Sequence, residues 1–262
     1  MARALGLSQA QLYRYDHAIT TPSIPNVRAW LDICAAADRH SVTDDHRARI
    51  IDLAEQAHAE PRTWKAMAAA GVTNTQPAAA EQDVEAVEEW SAQSVVLPGL
   101  VQTPEYAAAA VRRADLHDQF DHAAQVRDRL ARQTMLFEPG RRWHFLIAER
   151  LLWWSPGASA LMAPQRSRLL ALADAEGIDV AVLPDRAVLE PAGLWWVPFT
   201  VIAPRTGGRY AVIEDTSGEK VIRETDELAS WTLLWERLWA ASVRDEEAVR
   251  LIQDMPTASR SG

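Results

Sequence analysis

One cysteine, Cys34, in 262 residues excludes an intrachain disulfide and any metal site built on paired thiolates. A reducing compartment suits that shortage, so a cytoplasmic location is expected. Apolar runs are short too. None approaches the roughly 20 residues that a membrane-spanning helix needs, and the first residues lack the apolar stretch of a secretory signal. No membrane partner is expected. Positive charge is scarce: 27 Lys and Arg face 36 Asp and Glu, for a net charge of −9. A chain of that charge is repelled by nucleic acid and by anionic membranes unless contact is local. There is no P-loop, no His-Glu-x-x-His, no Gly-x-Ser-x-Gly and no Rossmann glycine pattern. The histidines are scattered, and His117 and His122 stand too loosely for a metal pair. No catalytic residue, metal ligand or cofactor is assigned.

What is present is uneven. Residues 1–30 hold Arg3, Arg14 and Arg28 against Asp16 alone, so this head is +2 and the remainder −11. A mildly basic head on an acidic body is compatible with local DNA contact. Tryptophan is plentiful, at 11 residues. Large rings dominate cores, which is the plain reading; the sharper one is that some of them line a pocket.

The pattern predicts an α+β protein: a small all-helical segment, then a mixed, mostly antiparallel sheet packed with helices. Ser8 and Gln11 form a capping-box pattern ahead of a helix reaching Asp16. Pro25 suits the first turn of a second helix that carries Val27, Trp30, Leu31 and Cys34 at helical spacing. Further helix is expected over 44–70. The breakers in 71–82 mark a linker, 83–255 a larger domain, and 256–262 a disordered tail. Within the larger domain, 81–93 reads as a helix with Val84, Val87 and Trp90 inward. Thr103 caps another, and 121–137 is a third, with a charged face of Arg127, Asp128, Arg129 and Arg132 that reads as solvated surface, with a partner or anion contact as the alternative. Strands are expected at 143–148, 178–183, 195–203, 210–214 and 219–222, with a helix at 164–175. A last long helix, capped by Thr225, carries Trp231, Trp235 and Trp239 on one stripe.

Two resemblances follow from particular stretches. Leu5-Gly-Leu-Ser-Gln-Ala-Gln-Leu-Tyr-Arg-Tyr-Asp16, followed by Pro22-Ser23, resembles the second half of a phage-repressor-like (XRE-type) helix-turn-helix. Residues 85–252 resemble the DUF5753 domain found behind such modules in actinobacterial regulators. The stretches that carry this are Val96-Leu-Pro-Gly-Leu-Val-Gln-Thr-Pro-Glu-Tyr-Ala107, Arg127-Asp-Arg-Leu-Ala-Arg-Gln133 and Val182-Leu-Pro184. The head departs from its pattern: helices usual before the recognition helix are missing, and Ala18 replaces a customary glycine. It reads as a partial module.

The resemblance implies a DNA-binding transcriptional regulator in an antitoxin-like family, often encoded beside a small partner protein, and a two-fold dimer. Matching positions make Gln9 and Arg14 base readers, Ser8 and Gln11 phosphate or base contacts, and Tyr13 an edge contact. The larger domain would sense a small molecule or a partner protein. For a ligand, the adjacent rings Trp153-Trp154 and Trp195-Trp196 stand out, because neighbours in a strand point to opposite faces. Glu149 and Glu214, with Arg150 and Asp215, flank them and can orient a polar or cationic ligand. The alternative is an enzyme made from the same domain, with the head as a relic; a pure interaction module is a third reading.

Overall fold

The Ser8-x-x-Gln11 pattern closes reciprocally. Gln11 N donates to Ser8 Oγ at 3.1 Å, and Ser8 N donates to Gln11 Oε1 at 2.9 Å. These bonds start α2 (Gln9–Asp16), which follows α1 (Ala2–Leu5) across a turn where Gly6 takes φ +69°. Glycine enters that left-handed region without the steric cost of a Cβ. Next comes α3 (Ile24–Ala37), whose first turn is tied by Asn26 N to Ser23 Oγ and which buries Ile24, Val27 and Leu31. Tyr15 is buried under α2 and its hydroxyl accepts from Asn26 Nδ2 at 3.4 Å. The helix α4 (Asp44–Ala59) packs on α3, with Arg47 and Asp32 2.7 Å apart, and β1 (Arg62–Thr63) is a two-residue strand.

These elements come from a computed structural model that describes residues 2–16, 22–37, 42–59, 62–63, 67, 71–187, 197–205, 207–215 and 218–254. The chain divides into two compact units, Met1–Val72 and Thr73–Gly262.

The second unit opens with α5 (Gln76–Glu85), and β2 (Ala86–Gln93) follows directly. This corrects the single helix expected over 81–93. Val84, Val87 and Trp90 do recur at helical spacing, yet from Glu88 onward Trp90 and Ala92 alternate with Glu89, Ser91 and Gln93 with period two. Neighbouring strands on both sides satisfy the backbone of β2 and decide the matter. Two helices follow: α6 (Pro104–Ala114), capped by Thr103, and α7 (His122–Arg132), capped by Asp121. Then come β3 (Arg142–Ala148), α8 (Met162–Ala173) and β4 (Ile178–Leu183). Three strands, β5 (Phe199–Pro204), β6 (Tyr210–Glu214) and β7 (Gly218–Ile222), lead to α9 (Thr225–Ala241) and α10 (Asp245–Asp254). The cap of α9 is Glu224 and not Thr225: its longer carboxylate accepts from both Asp226 N and Glu227 N. The sequence pattern gave no hint of α10 as a separate helix.

Within this unit the strands lie in the order β7-β6-β5-β2-β3-β4. β2, β3 and β4 are parallel; β5, β6 and β7 continue antiparallel from the other edge of β2. The sheet is mixed and the fold α+β, with three of its five pairings antiparallel. Helices α6, α8 and α10 bury Tyr106, Leu169 and Ile252 against Phe145, Ile147 and Val180 on one face. On the other, α9 covers Ala92, Leu146, Phe199 and Val201 with Trp235 and Leu238. No helix among the described residues is long and apolar enough to cross a membrane.

Candidate functional site

Strand β2 sits where the sheet changes from parallel to antiparallel and shows opposite chemistry on its two faces. Toward α9 it sends Trp90 and Ala92 into an aromatic stack: Trp90 lies on Trp235 at 5.6 Å, and Trp235 on Trp239 at 5.1 Å. Arg209 caps Trp90 at 4.1 Å. His144 meets the edge of Trp239 and lies between Asp179 (2.7 Å) and Glu88 (3.3 Å). The Trp231, Trp235, Trp239 row is therefore packed into the core beneath the sheet.

Toward α5 and α7 the same strand sends Glu89 and Ser91, both buried, and half-buried Gln93. Polar groups from four other elements meet them. Ser91 Oγ and Thr200 Oγ1 of β5 are 3.5 Å apart, and Gln93 Nε2 donates to Ser91 Oγ at 3.4 Å. From α5, Asp83 takes Arg132 Nε at 2.6 Å, while Gln76 Oε1 accepts from Arg132 Nη1 at 2.7 Å and from Arg129 Nε at 3.4 Å. Arg129 Nη1 donates to Gln102 Oε1 at 2.9 Å. On β7, buried Glu219 accepts from Gln82 Nε2 at 3.3 Å. Arg129 and Arg132 are thus drawn into this layer, which overturns the expected solvated face of α7; Arg127 alone of the three arginines is exposed there. Asp83 and Gln76, enclosed on α5, need hydrogen-bond partners, and the two arginines supply them.

The neighbouring loops are built to hold these groups still. Gln102 is fixed by its own Nε2 on the Leu97 carbonyl at 2.6 Å, and Gln133 Nε2 reaches the carbonyls of Gly99 and Gln102. Arg129 also lies against Gly99, where a Cβ would stand 3.4 Å from its Nε. Burial is graded: Glu89, Asp83 and Gln76 are enclosed, Arg129, Gln93 and Thr200 are half-buried, and Glu214 at the end of β6 is exposed. The layer therefore opens toward the carboxyl end of β2.

Its electrostatics are unusual. Burial pushes the Glu89 carboxyl up to about 8, helped by the Asp83 carboxylate and opposed by Arg132. Glu89 is thus mostly a neutral acid at pH 7. Burial raises Asp83 as well, although the Arg132 guanidinium beside it pulls the other way. Arg129 is pushed down to about 10 by burial and by Arg132, with Glu214 opposing. Chemically, the layer offers a cation set among amide oxygens, a protonated acid and two hydroxyls.

The family described as "Domain of unknown function (DUF5753)" matches residues 76–254. The chain belongs to this family. No curated protein and no solved structure shows a match. Two of the stretches that resemble the DUF5753 domain dock on each other across this layer: Gly99 and Gln102 come from one, Arg129, Arg132 and Gln133 from the other.

The residues singled out from sequence fall elsewhere. Glu149 begins a 3-10 turn after β3, where its Oε2 accepts from Asp185 N at 2.8 Å and ties the ends of β3 and β4. Trp153 and Trp154 follow that turn and do not belong to a strand: Trp153 is 53% exposed and Trp154 packs on the core. Trp195 and Trp196 lie outside the described residues. Only Glu214 borders the polar layer, through its effect on Arg129. In the first unit, Ser8, Gln9 and Tyr13 are exposed on α2, Gln11 is half-buried, and Arg14 belongs to the same helix. For a metal, Asp115, Asp118 and His122 have ligand-like spacing. However, Asp115 already accepts from three backbone N–H groups and meets the His122 ring, which makes it the brace of its loop.

Sequence reasoning missed Glu89, Gln76, Gln102 and the inward turn of Arg129. The available signal was period two: Glu89, Ser91 and Gln93 alternate with Glu88, Trp90 and Ala92.

Proposed function

We propose that this protein is a DNA-binding transcriptional regulator of the XRE type whose DUF5753 domain senses a small molecule, acting in the cytoplasm. The observation that carries the reading is the recognition-type helix α2. Its capping box is closed, Tyr15 is buried on one side, and Gln9 and Tyr13 are exposed on the other. A helix so anchored presents its polar face to the major groove, where Gln9 and Arg14 would read adenine and guanine. The polar layer over β2 supports the sensing half of the proposal, because a buried polar set with an open side is where a ligand is recognised. A dimer and a small partner protein encoded nearby belong to the same reading.

The test is enrichment of random-sequence duplexes on the 262-residue chain at low salt. A recovered half-site repeated about one helical turn apart is the expected result, and Gln9→Ala together with Arg14→Ala should abolish it. Absence of any enriched sequence overturns the DNA-binding half.

Glu89 favours a second reading, an enzyme in which this residue transfers a proton, since a carboxyl titrating near neutrality suits general acid–base work. A metabolite extract incubated with the protein and with Glu89→Gln, compared by mass spectrometry, discriminates: unchanged masses in both samples sink the enzyme.

A further inference from the structure

We propose that Arg129 anchors the carboxylate of a small organic monoanion, which enters at the carboxyl end of β2 and is read by Ser91, Gln93 and Thr200. The proposal rests on the reading of the DUF5753 domain as a sensor and names the chemistry of what it senses.

The argument starts from a contrast between two arginines one helical turn apart. Arg132 has Asp83 at 2.6 Å. Arg129 has only the amide oxygens of Gln76 and Gln102. No carboxylate among the described residues comes within ion-pair distance of it, and its Nη2 makes no hydrogen bond to a described residue. Glu214 acts on it from farther away. A cation taken out of water without a counter-ion is costly, and folded proteins pair or bond such groups. The amide oxygens orient Arg129 without cancelling its charge. Gln102 is itself pinned to the Leu97 carbonyl and Gln76 to the Gln125 side chain, so the guanidinium is preorganised.

The charge balance sets the ligand's valence. Asp83 neutralises Arg132, and Glu89 is mostly protonated at pH 7. Glu219 lies on β7, with β6 and β5 between it and β2, so beside Arg129 itself one positive charge is left, which matches one carboxylate. A phosphate dianion would add a surplus negative charge close to Asp83 and Glu214. A planar carboxylate also suits the parallel N–H groups of a guanidinium better than a point charge would. Beyond Arg129, the neighbouring groups are neutral: the half-buried Thr200 hydroxyl and Gln93 amide, with the buried Ser91 hydroxyl 3.5 Å behind Thr200. They fit hydroxyl or carbonyl substituents.

Phenylglyoxal labelling of the full chain, mapped by peptide mass spectrometry, tests the site. The probes are acetate, lactate, inorganic phosphate and chloride at matched ionic strength. Lactate and acetate should slow modification of Arg129 several-fold, lactate more, with phosphate and chloride giving little protection. Equal protection by all four anions, or none, overturns the proposal. Arg129→Gln supplies a second measurement: it should melt at or above the wild-type temperature and lose any rise in Tm caused by lactate. A large fall in Tm for Arg129→Gln would make Arg129 structural and overturn the site. Protection of Arg129 with DNA binding unchanged by lactate supports the site and removes the sensing role. DNA binding that responds to a metabolite while Arg129 stays unprotected does the reverse.

Discussion

The two faces of β2 differ in what they cost. Beneath α9, Trp90, Trp235 and Trp239 stack ring on ring and bury large apolar area, and each contact adds to stability. Beneath α5 and α7, the same strand buries Glu89 and Ser91 among arginines and amides, an arrangement that repays its desolvation only in part. One strand, with alternate residues, anchors the domain on one side and maintains a polar layer on the other. A costly layer on a central strand is where binding or chemistry is expected, because packing alone would have been served by Val or Ile.

Removing a ring from the apolar face should therefore destabilise, whereas neutralising a buried charge or a whole ion pair on the polar face should cost little or stabilise. The largest loss is expected for Trp235→Ala, which opens a cavity in the aromatic stack and should cost about 3–5 kcal/mol in denaturant unfolding. Arg132→Ala should cost about 3 kcal/mol or more, since it strands the Asp83 carboxylate. Replacing both partners together, Arg132→Met with Asp83→Leu, should recover much of that loss. If the double replacement is as damaging as Arg132→Ala, the pair is a true stabiliser and the contrast between the faces weakens.

Glu89→Gln should act the other way. Between the ordinary carboxylate range and about 8, the folded chain holds a proton that the unfolded chain has released. Stability from this group is complete below that range and is lost as pH rises toward 8. The groups facing Glu89 are Asp83 on α5, Arg132 on α7 and Tyr210 on β6. The amide mimics the protonated acid, so the variant should gain on the order of 3 kcal/mol at pH 7 and nothing at pH 4. Thermal melts across that span check the slope; a parallel shift at all pH values would assign the gain to packing. The smallest change is expected for Arg129→Gln, within about 1 kcal/mol of wild type, because removing a half-buried cation that has no carboxylate partner among the described residues offsets the lost hydrogen bonds.

Much of the fold was legible. Ile178–Leu183 and Tyr210–Glu214 match the expected strands, since runs of Val, Ile and Ala with turns on either side leave little choice. The Ser8 and Thr103 caps were legible because a cap is a local bond between residues three apart. The candidate site was not. Its strand reads as helix because its apolar residues alone do not alternate, and the alternating residues toward α5 and α7 are polar. Arg129 and Arg132 read as surface because charge on an amphipathic helix normally faces water.

By itself the sequence determined the local events: where helices start, where turns break them, and which apolar residues alternate. It did so because capping bonds and side-chain periodicity depend only on near neighbours. Tertiary structure decided what the polar residues mean. Whether Glu89 is a surface carboxylate or a buried acid depends on α5 and α7 lying over it, from chain segments that no local spacing relates to β2. Hydrophobic burial of the rest of the sheet forces that proximity, and desolvation then gives the same residue a different chemistry.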